Sequence, residues 1–213
     1  LRELFYRAQE RMTGEGAVSA TGKDHRAAAA KEALAKALAA WPADSREAAL
    51  AAGSTAYWLA YDTPAHVRHA EIIRDAAAAG EQIAIDFSTD DYRAVTHMLV
   101  YAPDHPGLFA RIAGALALAN CTVVDAKILT LSSGMALDTF AIQDFEGKPI
   151  AQKDKQARVR QRIVAALEGR TRLNQELEYI RMLLGRRPHQ RGLILVRLSG
   201  VCIGAVNQQH ADS

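Results

Sequence analysis

The sequence predicts an α+β fold in which a helical segment leads into a small antiparallel sheet. Apolar residues recur at helical spacing through most of residues 2–79. The pattern then changes to β-rich runs at 95–101, 122–131 and 135–143, interleaved with an amphipathic helix at 107–119. A strand, a helix and two strands in this order are typical of a small layered domain.

The helical segment is expected to contain four helices, over residues 2–12, 24–40, 45–52 and 64–79. Pro42 ends the second helix, because the residue before a proline avoids the α region. Ser45 is placed to cap the third helix and Gly80 to end the fourth. Tyr57 and Trp58 belong to a compact aromatic group between the last two helices.

Two histidines in the fourth helix have the spacing of a possible metal site. His66 and His69 stand three residues apart, so both imidazoles lie on one helix face and could share a metal ion. No third or fourth ligand is evident beside them. Two histidines on a solvated surface are therefore the favoured interpretation.

The predicted sheet is built around an interior strand. Strand 95–101 is apolar on both faces, which is typical of a strand with neighbours on both sides. An alternating run at 83–87 predicts a half-buried strand before it. Helix 107–119 has Asn120 as its terminator. Ser133-Gly134 indicates a hairpin turn between the two later strands.

A second helix, over residues 154–168, extends the order to β-α-β-β-α. One more strand at 193–198 would complete the ferredoxin-like βαββαβ arrangement, with two helices on one face of a four-stranded antiparallel sheet. We therefore expect a helical linker over residues 1–88 and the sheet domain over residues 89–198. Residues 199–213 form an atypical tail, for which a non-native origin is one interpretation.

The loop before helix 107–119 is the strongest candidate for a binding site. Asp104 is a good helix N-cap, Pro106 is suited to a first helical turn, and Gly107 allows close approach of a ligand. The first-turn N–H groups of such a helix have no partner within the helix and can bind a carboxylate. A stable strand-to-helix turn without a ligand explains the same residues equally well.

Composition limits the classes of partner. A net charge of +2 in 213 residues argues against a general nucleic-acid binder. Cys121 and Cys202 lie far apart, which fits a reducing, cytoplasmic environment better than a disulfide framework. No apolar run approaches the roughly 20 residues of a membrane span. The chain opens without an initiator methionine or a signal peptide, so we expect it to be a piece of a longer protein.

Catalytic signatures are missing from the sequence. Gly53-Ser54 is similar to the start of a nucleotidyltransferase site, but no paired Asp-x-Asp follows to hold Mg²⁺. Twelve Lys and Arg residues fall between Lys148 and Arg191. They could form a surface for an acidic partner or phosphate, although a solvated helix face is the favoured interpretation because no aromatic residues are interleaved.

Three runs of sequence carry a resemblance to a known family. Residues 101–119, YAPDHPGLFARIAGALALA, resemble the signature of an ACT domain, an amino-acid-sensing βαββαβ module. Residues 124–128 and 134–140 narrow this to the first of two C-terminal ACT domains in the bifunctional uridylyltransferase/uridylyl-removing enzymes. Those enzymes modify the PII nitrogen-signalling protein. Residues 186–213 depart from the family pattern, and a second Asp-x-Pro-Gly loop is absent.

The resemblance implies a regulatory part of a larger enzyme that uses Mg²⁺ elsewhere to transfer UMP to PII. The part itself is expected to bind glutamine, to need no cofactor and to have no activity alone. The effector-binding residues that the resemblance implies are Asp104, His105, Gly107, Leu108, Asn120 and Thr122. The last two would face the site, either within the same chain or from a second copy in a homodimer. A ligand-independent docking or dimerisation module is the alternative.

Overall fold

The structure is a computed structural model, and it describes residues 20–170. Its elements are α1 Ala20–Ala37, α2 Ala43–Ala51, α3 Thr55–Ala60, α4 Thr63–Ala79, β1 Ala84–Asp90, β2 Val95–Pro103, α5 Leu108–Leu118, β3 Cys121–Lys127, β4 Met135–Asp144 and α6 Lys153–Leu167. The helix expected at 2–12, the strand expected at 193–198 and the tail 199–213 lie outside the described residues.

The chain divides into two compact units. One is helical and contains the described residues up to Ala78 together with 131–133. The other begins at Ala79 and contains the sheet.

The helical unit packs an alanine-rich helix through a few large side chains. Leu34 in α1 and Leu38 just after it are fully buried, which supplies the area that alanine cannot. Helix α2 starts directly after Pro42, so it begins two residues before the expected cap Ser45. Helix α3 was not expected; its N-cap Ser54 accepts the N–H of Tyr57 through Oγ at 3.4 Å.

His66 and His69 are buried, so the interpretation that they lie on a solvated surface is wrong. The face of α4 that carries them packs on the aromatic residues of α3. His66 Nε2 lies 3.4 Å from the carbonyl oxygen of Tyr57, and His69 Nδ1 lies 3.3 Å from the Tyr57 hydroxyl. The imidazole of His66 also lies 5.0 Å from the Trp58 ring, and that of His69 lies 4.6 Å from Tyr61 in an edge-on contact. Aromatic packing therefore explains the i, i+3 spacing without a metal ion.

The sheet is antiparallel throughout and has the strand order β1-β2-β4-β3. The run expected to be a half-buried strand is β1, which pairs with β2 from Ala84 opposite Tyr101 to Asp90 opposite Val95. This strand crosses the expected boundary between residues 88 and 89. The edge beside β2 is thus occupied by a strand that precedes β2 in the chain.

One face of the sheet holds the core of this unit. Met98 on β2 lies opposite Phe140 on β4, and both side chains are fully buried. Ile112 of α5 and Ile163 of α6 join them in one hydrophobic cluster. Both helices therefore cover the same face, and Arg111 of α5 donates from Nη1 to the carbonyl of Ala166 in α6 at 3.3 Å. The predicted α+β class is confirmed.

A pH-dependent stability of the helical unit follows from His66. Burial lowers the pKa of this imidazole, and its Nδ1 has no hydrogen-bond partner. The unfolded chain then binds the proton more tightly, so stability falls as the pH drops through the unfolded value of about 6.5. In thermal melts, we expect the His66→Phe variant to lack this decrease in stability between about pH 7.5 and about pH 5. Replacing the exposed His25 by Ala should preserve it, and an unchanged profile in His66→Phe would contradict the explanation.

Candidate functional site

The loop between β2 and α5 adopts an open helix entrance. Gly107 is the N-cap residue of α5, with φ 86° and ψ 1°, and no side chain caps the helix. The expectation that Asp104 provides the cap is wrong. Its carboxylate instead accepts the Thr130 hydroxyl at 2.5 Å, and its N–H donates to the carbonyl of Gly134 at 3.2 Å. The hairpin before β4 thus holds Asp104 away from the helix end.

An uncapped first turn presents backbone N–H groups and a partial positive charge outward. Asp104 and Gly107 are exposed here, whereas the Leu108 side chain is buried in the core. Leu108 can therefore contribute only backbone to a site, and its N–H already donates to the carbonyl of His105 at 3.1 Å. The His105 ring is half-buried, with Nδ1 3.0 Å from the carbonyl oxygen of Pro106. The arrangement can receive an anion beside an exposed carboxylate.

Asn120 and Thr122 do not join this loop within one chain. They follow the C-terminal end of α5, while the loop precedes its N-terminal end. An eleven-residue helix is about 16 Å long, which separates the two groups. Asn120 has φ 55° and stands two residues after the end of α5, which confirms it as a terminator. Its role as an effector contact, and that of Thr122, remain predictions for a second copy.

Sequence reasoning missed a buried carboxylate beside the loop. Asp138 on β4 lies opposite Val100 on β2 and is 1% exposed. Its Oδ1 accepts the N–H of Leu129 at 3.3 Å, while Oδ2 has no hydrogen-bond partner. Burial raises the pKa of Asp138 to about 7, and the nearby charge of Asp104 adds to this effect. The period-two pattern of β4 could have found it, because Asp138 shares a face with the core residue Phe140.

The described part of the chain contains neither a metal-ligand cluster nor a membrane-spanning helix. Within residues 20–170, no group of three or more His, Cys, Asp and Glu side chains is placed to hold a metal ion. None of the helices in the same range has the length and apolar character needed to cross a membrane.

Comparison with curated proteins identifies related sequences. The chain is 43% identical over 169 residues to the bifunctional uridylyltransferase/uridylyl-removing enzyme of Rhodospirillum rubrum, covering 79% of this chain and 18% of that enzyme. It is 38% identical over 179 residues to the enzyme of Gluconobacter oxydans, covering 84% and 19%, and 39% identical over 170 residues to that of Azospirillum brasilense, covering 79% and 18%. The chain belongs to this enzyme family.

The chain spans about one fifth of the length of these curated relatives. No family model matches the sequence. No solved structure matches it either. The predicted resemblance to the family is thus confirmed by the curated relatives alone.

Gly107 is expected to resist substitution because of its backbone conformation. A Cβ built at this position meets no atom within 4 Å, so crowding does not oppose a side chain. The left-handed φ of Gly107 does oppose a side chain. We therefore expect Gly107→Ala to lower the free energy of unfolding by about 1–2 kcal/mol in urea titrations. Gly107→Asn is the matched control, because asparagine tolerates this region better, and it should cost less. Equal losses in the two variants would contradict backbone strain as the cause.

Asp138 is expected to make the sheet unit less stable at higher pH. The folded state holds the Asp138 proton more tightly than the unfolded chain does, so stability falls as the pH rises from about 4 to about 7. Asp138→Asn keeps an acceptor for Leu129 and removes the charge. It should be more stable than the parent chain by roughly 2–4 kcal/mol at about pH 8, and nearly equal to it at acid pH. Urea unfolding at both pH values measures this, with the exposed Asp91→Asn as control; a parallel pH profile in Asp138→Asn would refute it.

Proposed function

We propose that this chain is a regulatory, glutamine-sensing part of an enzyme that adds UMP to the PII protein and removes it. Two kinds of support converge. The curated relatives carry both activities in their name, and the resemblance to their family implies that PII is the protein modified. The β-α-β-β-α order from β2 to α6 is compatible with an ACT module, and the loop 104–108 is the one that the resemblance implies as its effector loop.

The observation that carries the sensing role is the uncapped N-terminus of α5. Gly107 leaves open space where a side chain would stand, so a carboxylate can approach the first-turn N–H groups. Asp104 is exposed beside this point and supplies an acceptor for an α-ammonium group. One loop thus offers a positive partner at the helix end and a negative partner in Asp104.

A homodimer would complete the amino-acid site. Asn120 and Thr122 are exposed at the start of β3, which is an edge strand of the described sheet. An edge strand has unpaired backbone groups that can bind a second chain. A second copy placed there brings an amide and a hydroxyl to the loop of the first, where they can bind the glutamine side chain.

Ligand-independent docking is the second candidate function, and the same edge favours it. Val124 on β3 and Ile128 just after it are large apolar residues that stand substantially exposed. Burying them against a partner would stabilise an assembly without any effector. In both cases, catalysis and the binding of PII and Mg²⁺ would be functions of the rest of the longer enzyme.

Backbone NMR of the full chain during titration with L-glutamine tests the sensing role. We expect shifts concentrated in residues 104–110, and Asp104→Asn should weaken binding by about tenfold or more because it removes a charge-assisted hydrogen bond. Asp91→Asn is the matched control and should bind normally. A folded chain without shifts at millimolar glutamine would reject sensing. Light scattering then separates the alternatives, since a dimer that glutamine leaves unchanged supports docking.

A further inference from the structure

A chain of contacts connects the buried carboxyl group of Asp138 with the exposed carboxylate of Asp104. Asp138 Oδ1 accepts the N–H of Leu129 at 3.3 Å. The next residue, Thr130, donates its hydroxyl to Asp104 Oδ2 at 2.5 Å. Adjacent residues of one short segment therefore hold the two carboxyl groups, so that a change at one of them can affect the other.

Backbone hydrogen bonds fix both ends of this connection. The segment 129–130 is attached to β4, because Leu137 donates its N–H to the carbonyl of Leu129 at 2.8 Å. Asp104 is held at a second point, where its N–H donates to the carbonyl of Gly134 at 3.2 Å. The two carboxyl groups therefore keep a defined position relative to each other.

Asp138 has the properties of a group that exchanges a proton near neutral pH. It is 1% exposed, and its Oδ2 has no hydrogen-bond partner among the described residues. An ionised carboxylate with an unpaired oxygen is unfavourable in apolar surroundings, so burial raises the pKa of Asp138 to about 7. Both the protonated and the ionised form are therefore populated at neutral pH.

Asp104 is the charged neighbour that affects Asp138, and its negative charge adds to the raised pKa. The elements packed on this face of the sheet contribute apolar side chains, namely Met98, Val100 and Ala102 of β2, Leu108 and Ile112 of α5, and Val159 and Ile163 of α6. Arg111, the one charged residue of α5, is exposed and donates to a carbonyl of α6, whose own charged residues are exposed as well. The charged residues of β3 belong to the other face of the sheet, and they are Asp125 and Lys127.

We propose that Asp138 is a proton-linked positioning residue for the loop 104–108, and that binding of an ammonium group to Asp104 releases the proton of Asp138. This inference rests on the proposed function, in which Asp104 accepts the α-ammonium group of an amino acid. The ammonium group offsets the charge of Asp104, so the repulsion that favours the protonated form of Asp138 decreases. The carboxylate of the same amino acid has the opposite sign, but the positive end of α5 offsets its charge.

The consequence is an affinity for the amino acid that rises with pH. At about pH 6 Asp138 is mostly protonated, and the release of its proton opposes binding. At about pH 8 Asp138 is mostly ionised, so hardly any proton is left to release. We expect the affinity to rise by about twofold to threefold between these values, because the charge of Asp104 is a smaller cause of the raised pKa than burial.

NMR titration of the carboxyl carbon of Asp138 in the ligand-free full chain tests the link between the two groups by itself. Asp104→Asn removes the neighbouring charge, so the midpoint of Asp138 should move to lower pH, whereas the exposed Asp91→Asn is the matched control and should leave it unchanged. In a Thr130→Val background, which lacks the hydroxyl, the effect of Asp104→Asn should be smaller, and Thr130→Ser should restore it. An unchanged midpoint in Asp104→Asn, or an equal effect with and without the hydroxyl, would overturn the proposal.

Calorimetric titration of the full chain with L-glutamine at about pH 6 and about pH 8 tests the consequence for binding. The rise in affinity should be present in the parent chain and absent in Asp138→Asn. Histidine side chains commonly change charge in this pH range, so His105→Gln is the second comparison, and it should keep the rise. A rise that persists in Asp138→Asn, or that disappears only in His105→Gln, would contradict the proposal. If glutamine does not bind at either pH, the sensing role is rejected, and a shifted Asp138 midpoint in Asp104→Asn would still support the link between the two carboxyl groups.

Discussion

The pairing of β2 with β4 is the constraint on which the rest of the sheet unit depends. These two central strands run antiparallel from Thr96 opposite Ile142 to Pro103 opposite Met135, and each carries an edge strand on its outer side. Met98 and Phe140 bury the face that α5 and α6 cover. Because β2 ends at Pro103, this pairing also sets where the loop 104–107 leaves the sheet and where α5 begins.

The same pairing places a carboxylate in the core, and this has a cost. Asp138 must face the helices because its neighbours in the period-two pattern, Ala136 and Phe140, do so. One oxygen remains without a hydrogen bond, which is unfavourable for a buried charged group. The proton it retains near neutral pH relieves part of that cost. Because Asp138 lies close to Asp104, the charge of the loop affects the stability of the core.

Local patterns predicted the elements well, because strand alternation and helix terminators act over a few residues. The strand β2 and the end of α5 before Asn120 follow from such patterns, whereas α2 begins two residues before the expected Ser45. The same local patterns did not predict the contacts between elements. The helix face of His66 gave no sign of the α3 rings that bury it, and Asp104 bonds to Thr130, which is 26 residues away. Asn120 does not lie against the loop within one chain, because the eleven residues of α5 separate them.

The two ends of α5 offer opposite electrostatic conditions, and this decides how each could bind an anion. At Gly107 the helix dipole favours a carboxylate, so backbone alone contributes part of the binding. At Leu118 the same dipole opposes an anion by roughly 0.3–1 kcal/mol. An amino-acid carboxylate is therefore favoured at Gly107 and disfavoured at Leu118, which agrees with a proposed effector site at the loop 104–108.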